Sequence, residues 1–377
     1  MTDQTALTAR FAFLTEADRL KTVERANVLM DLSRQENSAE HSWHVALFAL
    51  VFGGSDRALA MILLHDLVEI DCGDHPIHLD HDVAAIEASE LAAAVRLFGL
   101  LPDGADLLAL WREFEAAETG DARFAKRMDH IQPLFQVLSA PQPLPEHVQI
   151  ARDNMASGRC ARLWQEWPEA MAAGQALIQG EPVQGDLGHC LAFLAEADRL
   201  KSVYRASPLC DASRRENSAE HSWHLVLYAL VMAPLAGPEV NIGRVIRMLI
   251  LHDLVEIDAG DVPIHAANGA AHHGAAQLVA EEAAADRLFG LLPVPLGAEL
   301  NALWHEFEAN ETADAIFAKS LDRAQPVMQN IAAGGGSWID YQVTYEQLVE
   351  RVGNRIAHGA PRLWDWLSVS AQGFFAR

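Results

Sequence analysis

The sequence predicts an all-α protein of two tandem helical domains, and three observations carry that expectation. The chain repeats itself: "ENSAEHSWH" stands at residues 36–44 and again, letter for letter, at 216–224. Apolar residues recur at helical rather than alternating spacing, as in "SAEHSWHVALFALVF", where His41, Trp43, His44, Leu47 and Phe48 fall near one face. Glycine and proline fall mainly between these periodic stretches.

Each copy opens on the same element, "FLTEADRLK" at 13–21 and "FLAEADRLK" at 193–201. The "ENSAEHSWH" helix follows. Ser33 with Glu36, and Ser213 with Glu216, fit a capping box at its start, and Ser38 and Ser218 are the other candidate caps. "LLHDLVEIDCGDHPIH" at 63–78 returns as "ILHDLVEIDAGDVPIH" at 250–265, and the Pro/Gly-rich "APLAGPEVNIG" absorbs the seven extra residues of the second copy. The apolar run through "AMILLHDLVEI" reads as one helix over 60–70. "RLFGLLP" and "FAK" segments recur in the same order, and "ARLWQEW" at 161–167 pairs with "PRLWDWL" at 361–367. Trp43, Trp111 and Trp164, with their counterparts Trp223, Trp304 and Trp364, fall on apolar stripes and are expected in the core. A repeat of about 180 residues is too long for a solenoid unit. Each copy is therefore read as a domain, 1–180 and 187–377, with a linker at about 178–189.

Composition narrows the function. Half of the 377 residues are hydrophobic, the balance of a soluble globular protein, and the formal charge is −24. No Lys/Arg excess exists to displace the counterions of nucleic acid, so that partner is excluded. A small phosphorylated substrate is not, but its phosphate needs a local cation, from arginine or a metal. Cys72, Cys160, Cys190 and Cys210 show no CxxC pairing, which fits a reduced setting and no cysteine zinc site. No signal-like start and no membrane-length apolar run is seen, so a cytoplasmic location without membrane contact is expected.

The polar residues inside the apolar run are the informative ones. His65, Asp66 and Glu69 interrupt "AMILLHDLVEI", and buried ionisable groups are costly unless paired or bound to metal. Asp71 and Asp74 follow; the second copy supplies His252, Asp253, Glu256, Asp258 and Asp261. A hydrogen-bonded core pair would explain His65–Asp66 alone, whereas converging imidazoles and carboxylates make an N/O site for a divalent transition metal. Adjacent helical side chains diverge by about 100°, so further ligands must come from elsewhere. The candidates are His41 and Asp129, matched by His221 and Asp322.

The ordered pattern "AEHS … HD … D", with Glu69 one turn after "HD" and "GD" beyond it, resembles the HD-domain phosphohydrolase superfamily. Within it, the chain resembles the branch containing bacterial and eukaryotic 5′-deoxynucleotidases, and the likeness spans essentially each whole repeat. The resemblance implies an all-helical fold with one divalent metal per domain, Mn²⁺, Co²⁺ or similar. Its ligands would be His41, His65, Asp66 and Asp129, and His221, His252, Asp253 and Asp322. It implies catalytic roles for Glu69 and Glu256, and places Asp74 and Asp261 close to the sugar. It matches a substrate arginine to Arg25 and Arg205 with a one-residue gap; Ala26 and Ala206 follow where the family has tryptophan. Arg34 and Arg214 are alternative phosphate ligands.

His44 and His224 are expected to support the site rather than bind the metal. His78 and His265 end "PIH" and either line the pocket mouth or face solvent. A dimetal site would need extra histidines before the last aspartate; the first repeat has none between 82 and 128, and His272, His273 and His305 of the second have no counterparts. The expected activity is hydrolysis of a (deoxy)nucleoside 5′-monophosphate to nucleoside and phosphate. The alternatives are hydrolysis of a cyclic or polyphosphorylated nucleotide, and nucleotide binding without catalysis. Family members pair as dimers, so the two repeats are expected to pack as an intrachain pseudo-dimer.

Overall fold

The computed structural model describes residues 3–76, 79, 81–269 and 274–376, so His78, His272 and His273 lie outside the described residues. Helices make up almost all of its regular structure. Each repeat begins with a helix, Asp3–Ala17 or Gly185–Ala197, that tightens into a 3₁₀ turn ending at Thr22 or Ser202. A small antiparallel ribbon follows: β1 (Glu24–Val28) pairs with β2 (Gln35–Asn37), and β3 (Tyr204–Pro208) with β4 (Arg215–Asn217). These strands are too short to produce a readable alternation in sequence. They lead directly into the central helices Ser38–Val51 and Ser218–Met232, which are buried along nearly their whole length.

The cap of each central helix is neither of the expected serines. Asn37 and Asn217 occupy the N-cap, and Glu40 and Glu220 close the capping boxes. The helix read over 60–70 is also broken. Asp56–Leu64 ends at His65, a 3₁₀ turn spans His65–Val68, and a short helix resumes over Glu69–Cys72. His65 Nδ1 donates to the Ile62 carbonyl at 2.5 Å, so a side chain takes an oxygen that helical continuation would use. His252 does the same to Leu249 at 2.9 Å. Trp43, Trp111, Trp223 and Trp304 are buried as expected, but Trp164 is 40% exposed. Its indole N–H reaches the Met155 carbonyl at the protein rim.

The packing crosses the sequence boundary between the repeats. The two central helices lie against each other, helix Asp3–Ala17 packs on Ser218–Met232, and Gly185–Ala197 packs on Ser38–Val51. One contiguous apolar core draws on both repeats. Several polar contacts across the join come in matched pairs. Asn37 donates to Glu220 and Asn217 to Glu40, both at 2.6 Å. Arg34 donates to the Lys201 carbonyl and Arg214 to the Lys21 carbonyl, both at 2.7 Å. Other contacts are not matched. Arg10 donates to the Val231 carbonyl at 2.6 Å and Trp43 to the Ile250 carbonyl at 3.1 Å. Cys190 stands at the position equivalent to Arg10, and Trp223 Nε1 has no hydrogen-bond partner among the described residues. Arg247 pairs with Asp56 at 2.8 Å, and the counterpart of Asp56 is Gly243, where a Cβ would meet the Asp56 carboxylate at 2.0 Å.

Two lysines are buried in this join. Lys21 Nζ contacts Asp18 (2.5 Å), Glu216 (2.9 Å) and His224 Nδ1 (3.1 Å). Lys201 Nζ contacts Asp198 (2.6 Å), Gln136 (2.9 Å), Glu36 (3.1 Å) and His44 Nδ1 (3.2 Å). His44 and His224 thus face an ammonium on Nδ1 and give Nε2–H to the Leu194 and Leu14 carbonyls, each at 3.0 Å. Burial and then the adjacent lysine hold both imidazoles neutral, His44 well below its usual range and His224 at about 3. No helix among the described residues is long and apolar enough to cross a membrane.

An imidazole held neutral in the fold protonates on unfolding at about pH 6.5. Its contribution is therefore complete above that pH and is lost as pH falls toward the folded value, at up to about 1.4 kcal/mol per pH unit per histidine. Urea unfolding is expected to show stability falling from pH 6.5 downward, and His44→Gln/His224→Gln is expected to show a shallower slope over the same window. An unchanged slope would remove these histidines from the account.

Candidate metal centres

Three elements of each repeat converge on one buried point. The central helix carries His41 in its first turns, the break after Leu64 turns His65 and Asp66 inward together, and the helix Gly120–Leu138 supplies Asp129. One donor atom each from His41, His65 and Asp66 lies within 4.8 Å of the other two. Asp129 Oδ1 is 3.2 Å from His41 Nε2 and 3.5 Å from His65 Nε2. The second repeat gathers His221, His252 and Asp253 in the same way, with Asp322 Oδ1 at 3.3 Å from His221 Nε2.

The donor set fits a divalent ion. His65 and His252 spend Nδ1 on backbone carbonyls, which aims Nε2 at the cluster. Both Nε2 atoms are buried and make no hydrogen bond among the described residues. Asp66 Oδ1 lies 3.0 Å from His65 Nε2 without hydrogen-bond geometry. Bonds to a metal of about 2.0–2.2 Å bring neighbouring ligand atoms to about this separation. Against the pull of burial, Asp66 and Asp129 push His65 up to about 10, the mark of a site seeking positive charge.

Carboxylates outnumber cations around the cluster. Arg25, on β1, lies 2.9 Å from Asp66, 3.4 Å from Glu69, 3.5 Å from Asp74 and 3.9 Å from Glu36. Arg205 reaches Asp253, Glu256, Asp261 and Glu216 at 2.7–3.7 Å. Gly73 at φ +75° and Gly260 at φ +75° end the short helices in a conformation that β-carbons disfavour, which turns Asp74 and Asp261 back toward these arginines. Glu69 also accepts from Ser38 Oγ, and Glu256 from Ser218 Oγ at 2.5 Å. Burial, then the charges of Asp66 and Asp74, push Glu69 up to about 8; Glu256 is likewise raised well above the carboxylate range. A dication on the adjacent ligands counters those same charges.

A cavity opens onto each cluster, of about 840 Å³ in the first repeat and about 490 Å³ in the second. Both suit a small organic ligand. Arg25, Asp66, Glu69, Asp74 and Asp129 line the first; Arg205, Asp253, Glu256, Asp261 and Asp322 line the second. Ala26 and Ala206 line the respective walls, and the second cavity gains Trp338 and Tyr341. Arg34 and Arg214 are engaged by Glu40 and Glu220 in the join and do not line the cavities. His265 lines the second mouth. Sequence reasoning missed Lys126, His130 and Arg159, because nothing local marks a surface-type residue as cavity-lining. It read Ser38 and Glu36 only as helix caps, although both are fully buried beside the cluster.

A model of the HD domain matches residues 17–171 and 197–364. Human 5'-deoxynucleotidase HDDC2 is 30% identical over 141 residues, covering 37% of this chain and 65% of that protein's length. The Xenopus laevis protein of the same name is 28% identical over 182 residues, 48% of this chain and 75% of that one. A crystal structure of a predicted metal-dependent phosphohydrolase from Magnetospirillum magnetotacticum MS-1 is 43% identical. It covers 51% of this chain and 96% of its own at a TM-score of 0.47.

Proposed function

The chain belongs to the HD-domain family, and on that premise we propose that each repeat is a metal-dependent phosphohydrolase centre. Its proposed reaction is hydrolysis of a nucleoside 5′-monophosphate, deoxy forms preferred, to nucleoside and phosphate. The observation that carries this reading is the convergence of His41, His65, Asp66 and Asp129 beside Arg25 and Glu69, repeated at His221, His252, Asp253 and Asp322 beside Arg205 and Glu256. The named activity of the human relative supports the substrate class.

One divalent ion per repeat, Mn²⁺, Co²⁺ or similar, would polarise the phosphoryl group and lower the pKa of a bound water. The protein's own groups do the rest. Arg25 and Arg205 offer guanidinium donors to the phosphate oxygens. Glu69 and Glu256 take the proton of the attacking water as its oxygen bonds to phosphorus, and return one to the departing 5′ oxygen. Asp74 and Asp261 accept from the sugar hydroxyl. The domains are taken as 1–180 and 187–377, and the matched cross-join contacts support their acting as a dimer fused into one chain. The free cysteines fit a reduced, cytoplasmic setting.

Two outcomes test the reading. Chelated protein reloaded with Co²⁺ should hold one ion per repeat by elemental analysis, His65→Ala should lose one, and His65→Ala/His252→Ala should lose both; retention by the double variant would sink the metal assignment. In a phosphate-release screen across nucleotides, the 5′-monophosphates should turn over fastest. Glu69→Gln/Glu256→Gln should lose about 10²–10⁴-fold in rate while keeping its metal. Faster turnover of cyclic or polyphosphorylated nucleotides, or ligand-induced stabilisation without phosphate release, would replace this reading with another phosphoesterase or a sensor.

A further inference from the structure

Behind each candidate centre stands a glutamate that the reaction does not use. Glu36 is fully buried, and its Oε1 lies 3.7 Å from His41 Nδ1. Neither atom has a hydrogen-bond partner among the described residues. The other oxygen of Glu36 accepts from Lys201, which belongs to the opposite repeat and is itself fully buried. The second centre mirrors this. Glu216 Oε1 lies 3.4 Å from His221 Nδ1, and Glu216 Oε2 accepts from Lys21 at 2.9 Å.

We propose that each metal centre is completed from the other repeat: Lys201 fixes Glu36 behind His41, and Lys21 fixes Glu216 behind His221. Both lysines are positioning residues, since they act through a glutamate and touch no ligand atom that faces the metal. The inference rests on the reading of His41 and His221 as ligands. A histidine that binds metal through Nε2 carries its proton on Nδ1, and a carboxylate accepting that proton fixes the ring and raises its basicity. A carboxylate buried without a cation has nothing to hold it in place and would turn away, and so lose that acceptor role. The direction of the wiring is unexpected from sequence. Lys21 lies four residues before Arg25 of the first centre, yet its ammonium serves the second. The first centre is the cleaner one to probe, because His221 Nδ1 has an extra neighbour in Gln325 Oε1 at 3.1 Å.

The test uses full-length chain carrying His252→Ala/Asp253→Ala, so that only the first centre binds Co²⁺, followed by visible absorption during titration. Lys201→Met in this background should weaken Co²⁺ binding about tenfold or more and change the absorption band, as loss of an outer partner does. Lys201→Arg should recover most of the affinity. Lys21→Met should change it by less than about twofold, the tolerance for sites that share no partner. If Lys201→Met does not fold, Glu36→Gln/Lys201→Met removes both buried charges together and should show the same weakening. Unchanged Co²⁺ affinity in a folded Lys201 variant, or equal effects from Lys21→Met and Lys201→Met, would overturn the proposal. If the single-centre parent binds no Co²⁺ at all, the ligand reading itself fails and the proposal falls with it.

Discussion

Crowding the buried Glu36 and Asp66 and the half-buried Glu69, Asp74 and Asp129 around two imidazoles is the constraint on which the rest of each repeat depends. Carboxylates removed from water must find cations or protonate. The fold meets this demand in layers. Arg25 enters from the short ribbon and spans the cavity side of the cluster, while Lys201 arrives from the opposite repeat and holds the far side. Glu69, the group left with the least compensation, is the one whose proton affinity rises into the neutral range. The ribbon, the helix break at His65 and the close docking of the two central helices all serve to deliver these groups to one place.

The repeats keep this centre and differ at its rim. Glu36, His41, His65, Asp66, Glu69, Asp74 and Asp129 each have an identical counterpart. Around the cavity mouth the residues change. His130 beside Asp129 becomes Arg323 beside Asp322, and the aromatic pair Trp338 and Tyr341 lines the second, smaller cavity. Reaction chemistry places strict demands on distance and charge, whereas a rim contact can change with only a shift in preference. The pattern of what is held and what varies follows that division.

Much of this was legible before any coordinates. Internal identity revealed the duplication, periodicity the helices, and ionisable residues inside an apolar run the buried cluster. What escaped was information that no local window contains. The five- and three-residue strands are too short to show a period, yet they carry Arg25 and Arg205. The break at His65 arises from a side chain competing for a backbone oxygen, so the run reads as continuous helix. Lys21 and Lys201 sit in "EADRLK", which looks like an exposed charged segment, and only packing from the other repeat shows that both are buried. Asn37 outcompeted Ser33 and Ser38 as a cap because its carboxamide also bridges to Glu220.

The unmatched contact at Asp56 has a consequence of its own. Two identical chains meeting across a twofold axis must present every substitution twice, so an aspartate near the axis would confront another aspartate. Here Asp56 meets a glycine that leaves room for it and an arginine that neutralises it, and neither feature exists on the reciprocal side. The join therefore has handedness: each half is shaped for its unlike partner and not for a copy of itself. Covalent connection keeps those unlike halves at a fixed mutual effective concentration, whatever the dilution of the protein.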